Sequence, residues 1–401
     1  MKVLIIDTYF SPYGGGQVIS YNTYNLLKKH NIEAYYWALK KEPYFEKDYD
    51  GIKYFGGVYR GAANYLKNPV KYYYNYENKK KLNRYIEIIK PDLIHINSFS
   101  WMTSAVLDCC RNIPSVITLH DITPLCPAGA VSFLHCKNRC RNDNFLKCIF
   151  SSCCKNFESS FRRALMMYLT VKRFKYMNRI IVPSEAVKNA FLKYNKNIES
   201  SKIRVINNFV LNDAEDNAIS KDGGYFLYAG RLSSEKGLQQ LLDVLNDLSA
   251  DIKLHIAGAG DLEQELKQHA ARNNLRNVQF LGYLDGQELK NEYKNCTAVI
   301  FPSNCFESFG MTAIEAFINS KPVIGSNAGA LPEVIEHNKT GLLFEPENTQ
   351  QLKECILKYW NNPGLALKHG EEGYKKAVRL YTEEIYYEKL TALYREVLNE
   401  K

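Results

Sequence analysis

The sequence predicts an α/β protein of two doubly wound domains, and three observations carry that reading. The chain has 401 residues, more than one hydrophobic core usually organises. Short apolar runs of β type alternate along it with longer amphipathic segments, the pattern of a parallel sheet with crossover helices. A polar stretch, DAEDNAISKDGG at 213 to 224, interrupts the alternation once and ends in two glycines. Hydrophobic residues make up 46% and charged residues 24%, with no low-complexity tract, which excludes a disordered or fibrous chain.

In the first half KVLIID leads into a helix-like stretch at 17 to 30, and EAYYWAL, DLIHIN and SVITLH follow. Beyond the polar stretch come YFLYAG, KLHIAG, VQFLG, AVIFPS and KPVIGS, each closed by a Gly, Pro or Ser turn and most continued by a helical pattern. Aromatic and leucine residues recur at helical spacing from about Glu371 to Lys401. The expected limits are a first domain over 1–208, a linker over 209–223, a second domain over 224–380, and a terminal helix over 381–401 that packs back on the first domain.

The N-terminal MKVLIIDTYF is too short an apolar run for a secretory core, and no stretch approaches the length of a membrane span, so a cytoplasmic protein is expected. In that compartment the 11 cysteines read as buried hydrophobes, reactive thiols or metal ligands rather than disulfides. Cys126, Cys136, Cys140, Cys148, Cys153 and Cys154 crowd an excursion at 126 to 154. Four thiolates there, with Cys126, Cys136, Cys140 and Cys148 the first choice, would hold a structural zinc. Free thiols are the alternative, since no tight C-x2-C pair is present.

The net charge of +9 conceals a split. Up to Asn208 there are 32 Lys and Arg against 15 Asp and Glu, and beyond it 20 against 28, so the halves carry +17 and −8. The basic half is expected to meet an anionic ligand or surface. Tyr and Lys crowd 65 to 90, and SFRRALMMYLTVKRFKYMNR at 160 to 179 is a second basic amphipathic stretch. Both read either as solvated helices with aromatic inner faces or as surfaces lying on anionic lipid.

The chemistry concentrates in FPSNCFESFGMTAIEAFINSKPVIGS. A strand runs into a loop carrying Glu307, and a helix beginning near Gly310 would offer the backbone N–H groups of Phe309, Gly310, Met311 and Thr312 to a diphosphate. Glu315 lies farther along; eight helical residues span roughly 12 Å, about the reach from a donor hexose across a diphosphate to a ribose. Taken alone, the pair reads equally as one capping and one surface glutamate.

Glu307 and Glu315 resemble the E-x7-E motif of the retaining family 4 glycosyltransferases. YAGRLSSEKG at 228 to 237, IAGAGDLEQEL, VQFLGYLD and GALPEVIEHNKTGLLFEP follow in that family's order. The resemblance implies the GT-B fold, two Rossmann-like domains facing each other across a cleft, and the transfer of a hexose from a nucleotide-sugar donor with retention of configuration. It is the kind of enzyme found in the assembly of bacterial capsule, lipopolysaccharide and other surface polysaccharides. By the same resemblance Arg231 and Lys236 meet the donor diphosphate without a metal ion, Gly282 to Leu284 meet the base, and Glu307 and Glu315 take sugar and ribose hydroxyls.

Gly14, Gly15 and Gly16 in SPYGGGQ follow the first strand, where glycines permit close approach to phosphate or sugar; a mere flexible turn is the other reading. His120, at the end of VITLHD, resembles the family's histidine beside the donor sugar. Asp121 is expected to orient that ring or contact acceptor. The acceptor is expected to be a lipid-linked saccharide or an oligosaccharide, met by a peripheral enzyme at the inner face of the membrane. Rival readings are a sugar-nucleotide epimerase of the same architecture, a nucleic-acid-binding protein, and a catalytically silent anionic-ligand binder. Nucleic acid is not expected as a partner, because the anion-site residues lie in the acidic half.

Overall fold

The computed structural model describes residues 1–9, 15–39, 73–99, 102–124, 126, 157–194, 198–211 and 223–400. Gly14, Cys136, Cys140, Cys148, Cys153 and Cys154 lie outside them, as do residues 212–222 of the expected linker. The chain falls into two compact units: most residues up to Ile206 together with those from Tyr386 onward, and Asn207 to Ile385.

The first unit is built on six parallel strands: β1 (Lys2–Tyr9), β2 (Glu33–Leu39), β3 (Leu93–Ile96), β4 (Ser115–Thr118), β5 (Arg179–Val182) and β6 (Ile203–Val205). Their order is β2-β1-β3-β4-β5-β6. A parallel sheet is covered on both faces, so its strands are apolar throughout rather than alternating. Val3, Leu4, Ile5 and Ile6 are accordingly all fully buried. β5 and β6 escape the sequence reading because Arg179 opens the first inside the basic stretch at 160 to 179 and Arg204 stands in the middle of the three-residue second. The chain leaves β1 for β2 on one side and returns to its other side with β3, which opens a crevice beyond the C-terminal ends of β1 and β3.

The helical pattern toward the C-terminus resolves into two helices, Pro363–Leu380 and Glu383–Asn399. In the second, Tyr386, Leu390, Leu393, Tyr394 and Val397 form the buried stripe. Thr23 donates to the Tyr386 hydroxyl at 3.1 Å, His30 stacks on Tyr387 with centroids 3.8 Å apart, and Arg179 pairs with Glu396 and Glu400. Tyr394 reaches His95 Nδ1 at 2.6 Å, and Thr118 meets His95 Nε2 at 2.7 Å. A histidine in the middle of an apolar strand therefore has both nitrogens satisfied.

The two basic stretches converge on one carboxylate. Asp108, buried in a 3-10 turn over Ser104–Cys110, accepts from Tyr74 at 2.7 Å, Arg111 at 3.0 Å and Arg173 at 3.2 Å, with Lys79 at 3.9 Å. Burial alone would push its pKa up, but the Tyr74 hydrogen bond and the two guanidiniums hold it below the usual value. Lys79 is thus half-buried beside this network, whereas Lys80, Lys81, Lys172 and Lys175 are exposed.

The second unit repeats the plan with β7 (Tyr225–Ala229), β8 (Lys253–Ala257), β9 (Val278–Gly282), β10 (Ala298–Phe301), β11 (Val323–Ser326) and β12 (Gly341–Phe344), in the order β12-β11-β10-β7-β8-β9. Tyr225, Leu227 and Val299 feed one hydrophobic layer, and Phe226, Leu254 and Ile300 the other. The order reverses between β7 and β10, so the loops after these two strands are neighbours. Asn304 N donates to Glu235 O at 2.8 Å across them. Gly237, at φ 70°, lies so close that a Cβ there would stand 1.9 Å from Pro302 O. Gly237→Ala should therefore cost at least about 1–3 kcal/mol of stability, from the left-handed backbone and the clash together. A urea midpoint equal to that of the unaltered protein would refute this.

Candidate active site

In the second unit the loop after β7 carries Arg231 and Lys236, and the loop after β10 carries Glu307. The reversal of strand order brings residues 71 positions apart into contact: Lys236 Nζ lies 2.5 Å from Glu307 Oε1. The lysine side chain is 19% exposed and the glutamate 12%. Burial alone would lower the lysine pKa, but the adjacent carboxylate more than offsets it, and Lys236 stays charged. Ser303, fully buried, also donates to Glu307 Oε1, and the Cys305 thiol stands 3.5 Å from the same oxygen. Burial pushes that thiol up to about 11, so it remains protonated at neutral pH.

The backbone of Glu307 is braced from the next loop. Ala330 N donates to Glu307 O at 2.7 Å, and Gly329, at φ 60°, leaves no room for a Cβ beside the same peptide. The helix Met311–Ile318 begins at Gly310, which offers no side-chain cap. The N–H groups of Ala313 and Ile314 turn back to Gly310 O, which leaves those of Met311 and Thr312 to offer their partial positive charge to an anion. Phe309 is core, packed edge-on against Tyr381, so only its backbone is available to a ligand. Met311 is half-buried, and the Thr312 hydroxyl donates to Ala229 O at 3.2 Å. Glu315 sits one turn in, its carboxylate accepting from Tyr293 at 2.7 Å.

Not every residue named from the sequence joins this cluster. Arg231 is 68% exposed and pairs with Glu235 at 2.9 Å instead. Gly282 ends β9 with a positive φ in open space, Tyr283 beside it is exposed, and Leu284, half-buried, packs against the core.

In the first unit Gly16 lies under the His120 ring, where a Cβ would stand 3.1 Å from it, while Gly15 has open space around it. The His120 ring is oriented by Asn97, at 3.2 Å from Nε2, and not by Asp121, whose carboxylate accepts from Thr123 N at 2.8 Å. Among the described residues no partner reaches the buried His120 Nδ1. Asn97, Ser303 and Tyr293 were missed from the sequence, because a hydroxyl or amide gives no pattern until its partner is known. Cys126 is half-buried, and among the described residues no cluster of metal-binding side chains occurs.

Two doubly wound parallel sheets, the second with a cation and an uncapped helix end in its crevice, have the architecture of GT-B glycosyltransferases. The structure of HepE from Anabaena, solved in complex with UDP, superposes with a TM-score of 0.72 over 99% of this chain and 100% of that one, at 18% identity. Residues 13–211 match the profile of glycosyltransferase family 4 and residues 211–376 that of glycosyl transferases group 1. The chain belongs to glycosyltransferase family 4. It is 28% identical to an uncharacterised glycosyltransferase of Methanocaldococcus jannaschii over 93% of this chain and 92% of that one. The O-antigen chain mannosyltransferase C of Escherichia coli is 29% identical over 44% of this chain and 48% of its own. Among the described residues no helix is long and apolar enough to cross a membrane.

Burial lowers the His95 pKa from 6.5 to about 3 and that of His120 from 6.5 to about 4. The unfolded chain then binds more protons than the folded one between those values and 6.5, so stability is full above pH 6.5 and is lost as the pH falls. Glu336, held at about 2 by Lys339 and Lys376, acts only in a lower window, below 4.5. Melting temperature should thus decline between pH 6.5 and 4.5, and His95→Gln, which cannot charge, should flatten the decline. The same slope in both proteins would place the acid lability elsewhere.

Proposed function

We propose that this glycosyltransferase moves a hexose from a nucleoside diphosphate sugar to a lipid-linked glycan acceptor, with retention of configuration, from the inner face of the membrane. The observation that carries the donor half is the Lys236–Glu307 pair at the crevice between β7 and β10, beside an uncapped helix end. A half-buried, charged lysine and fixed N–H dipoles stabilise the charge that develops on a departing diphosphate. They need no reorganisation during the reaction. Arg231, exposed at the mouth of the same loop, is free to swing toward the phosphates from its pairing with Glu235. Glu307 would hold donor sugar hydroxyls, Glu315 the ribose, the loop at Gly282 and Leu284 the base, and the neutral His120 a sugar hydroxyl through Nδ1. Retention rests on the likeness to family 4.

Lys236→Ala should lower the turnover rate, on the order of 100-fold, more than it raises the Michaelis constant, as expected of a group acting on the leaving diphosphate. The assay uses UDP-, GDP- and ADP-hexoses, UDP-hexoses first because the HepE structure holds UDP. Its EDTA-treated arm should keep its rate, the protein itself supplying the positive charge. A change in the Michaelis constant alone, or donor isomerisation without transfer, would defeat the reading.

The acceptor half rests on the +17 charge of the first 208 residues and on the two basic stretches that meet at Asp108. A polyprenyl diphosphate-linked saccharide and the headgroups around it are anionic, and each basic residue near such a surface contributes about 1 kcal/mol. The chain should sediment with phosphatidylglycerol vesicles at low salt, release at high salt, and bind less when Lys80, Lys81, Lys172 and Lys175 are changed to Gln. Equal partitioning onto phosphatidylcholine, or none onto either, would count against membrane docking.

A further inference from the structure

We propose that Tyr293 is the positioning residue for Glu315: its hydroxyl holds Oε2, so that Oε1 is presented to the ribose of the donor. This rests on the nucleotide reading above. Tyr293 lies on the helix Gly286–Asn295, which precedes β10, and Glu315 on the helix that follows β10, so the bond crosses between the two elements flanking one strand. The tyrosine is 3% exposed and its ring belongs to the hydrophobic layer formed by Cys296, Val299 and Ile314. A phenylalanine would fill that layer as well, so the hydroxyl is explained by its bonds, the one to Glu315 at 2.7 Å and another to the Thr312 side chain.

Among the described residues no second donor reaches the Glu315 carboxylate; Asn319 bonds only its backbone oxygen. A carboxylate at this depth with a single protein partner has one oxygen fixed and the other committed to nothing in the chain, and an acceptor so placed suits a diol. Glu307 is treated alike, with Ser303 and Lys236 both on Oε1. In each case a neighbour takes one oxygen and fixes the plane of the group, which lowers the entropy lost when a ligand hydroxyl arrives.

The test is calorimetric binding of UDP, GDP and ADP, and of their 2′,3′-dideoxy forms, to the full chain and to Tyr293→Phe, Glu315→Gln and the double variant. Whichever diphosphate binds the unaltered protein should bind Tyr293→Phe about 3- to 10-fold more weakly, the worth of one hydrogen bond. Its dideoxy form should lose less than about twofold, and Tyr293→Phe added to Glu315→Gln should likewise change affinity by less than about twofold. Equal losses for the ribose and dideoxy forms, or in both backgrounds, overturn the role of Tyr293 and leave the nucleotide reading standing. No binding of any diphosphate, or a Glu315→Gln protein that binds as the unaltered one does, overturns that reading and the proposal with it. Melting curves confirm folding, and Tyr293→Met replaces the phenylalanine variant if that protein does not fold.

Discussion

One pairing organises the second unit: β10 lies against β7 instead of extending the sheet beyond β9. A sheet that grows outward in sequence order brings together only loops that are close in the chain. Reversal places a loop from residue 230 beside one from residue 302, and their backbones are then joined by Asn304 and fitted together at Gly237. The crevice is a consequence of topology before any side chain is considered. The first unit obeys the same rule between β1 and β3, where Gly16, Asn97 and His120 gather.

Within that crevice the ion pair is a liability as well as an asset. Removing two charges from water costs several kcal/mol each, and their attraction recovers this only if the remaining valences are met. Glu307 Oε1 receives a lysine and a serine, and its peptide is braced by Ala330, so the pair is well supported. Such a pair need add little to stability. In the proposed function its value lies in holding a cation ready and immobile at the point where the departing diphosphate gathers negative charge.

The first unit spends its charge differently. Asp108 is surrounded by Tyr74, Lys79, Arg111 and Arg173, an arrangement in which one acid neutralises part of a strongly basic region and ties two distant stretches of sequence together. Among the described residues outside that network, Lys80, Lys81, Lys172 and Lys175 stay at the surface. The histidine at position 95 joins the terminal helix to the sheet through Tyr394 and lies too deep to charge at neutral pH.

The sequence by itself determined the fold class and most of the strands, because a strand buried on both faces must be a short unbroken apolar run, and such runs can be counted. It also named Lys236, Glu307, Glu315 and the helix end at Gly310 as candidates, Lys236 through the family resemblance and the others from their place after a strand and at a helix start. It did not reveal β5 and β6, whose apolar runs are broken by Arg179 and Arg204, or β12 at Gly341–Phe344. Only the tertiary structure decided which of the named residues touch. Lys236 reaches Glu307 while Arg231 turns to Glu235, Asn97 rather than Asp121 orients His120, and the hydroxyls of Ser303 and Tyr293 become meaningful. The physical reason is that a hydrogen bond depends on a separation of about 3 Å between atoms. Strand order sets that separation, and distance along the chain does not record it.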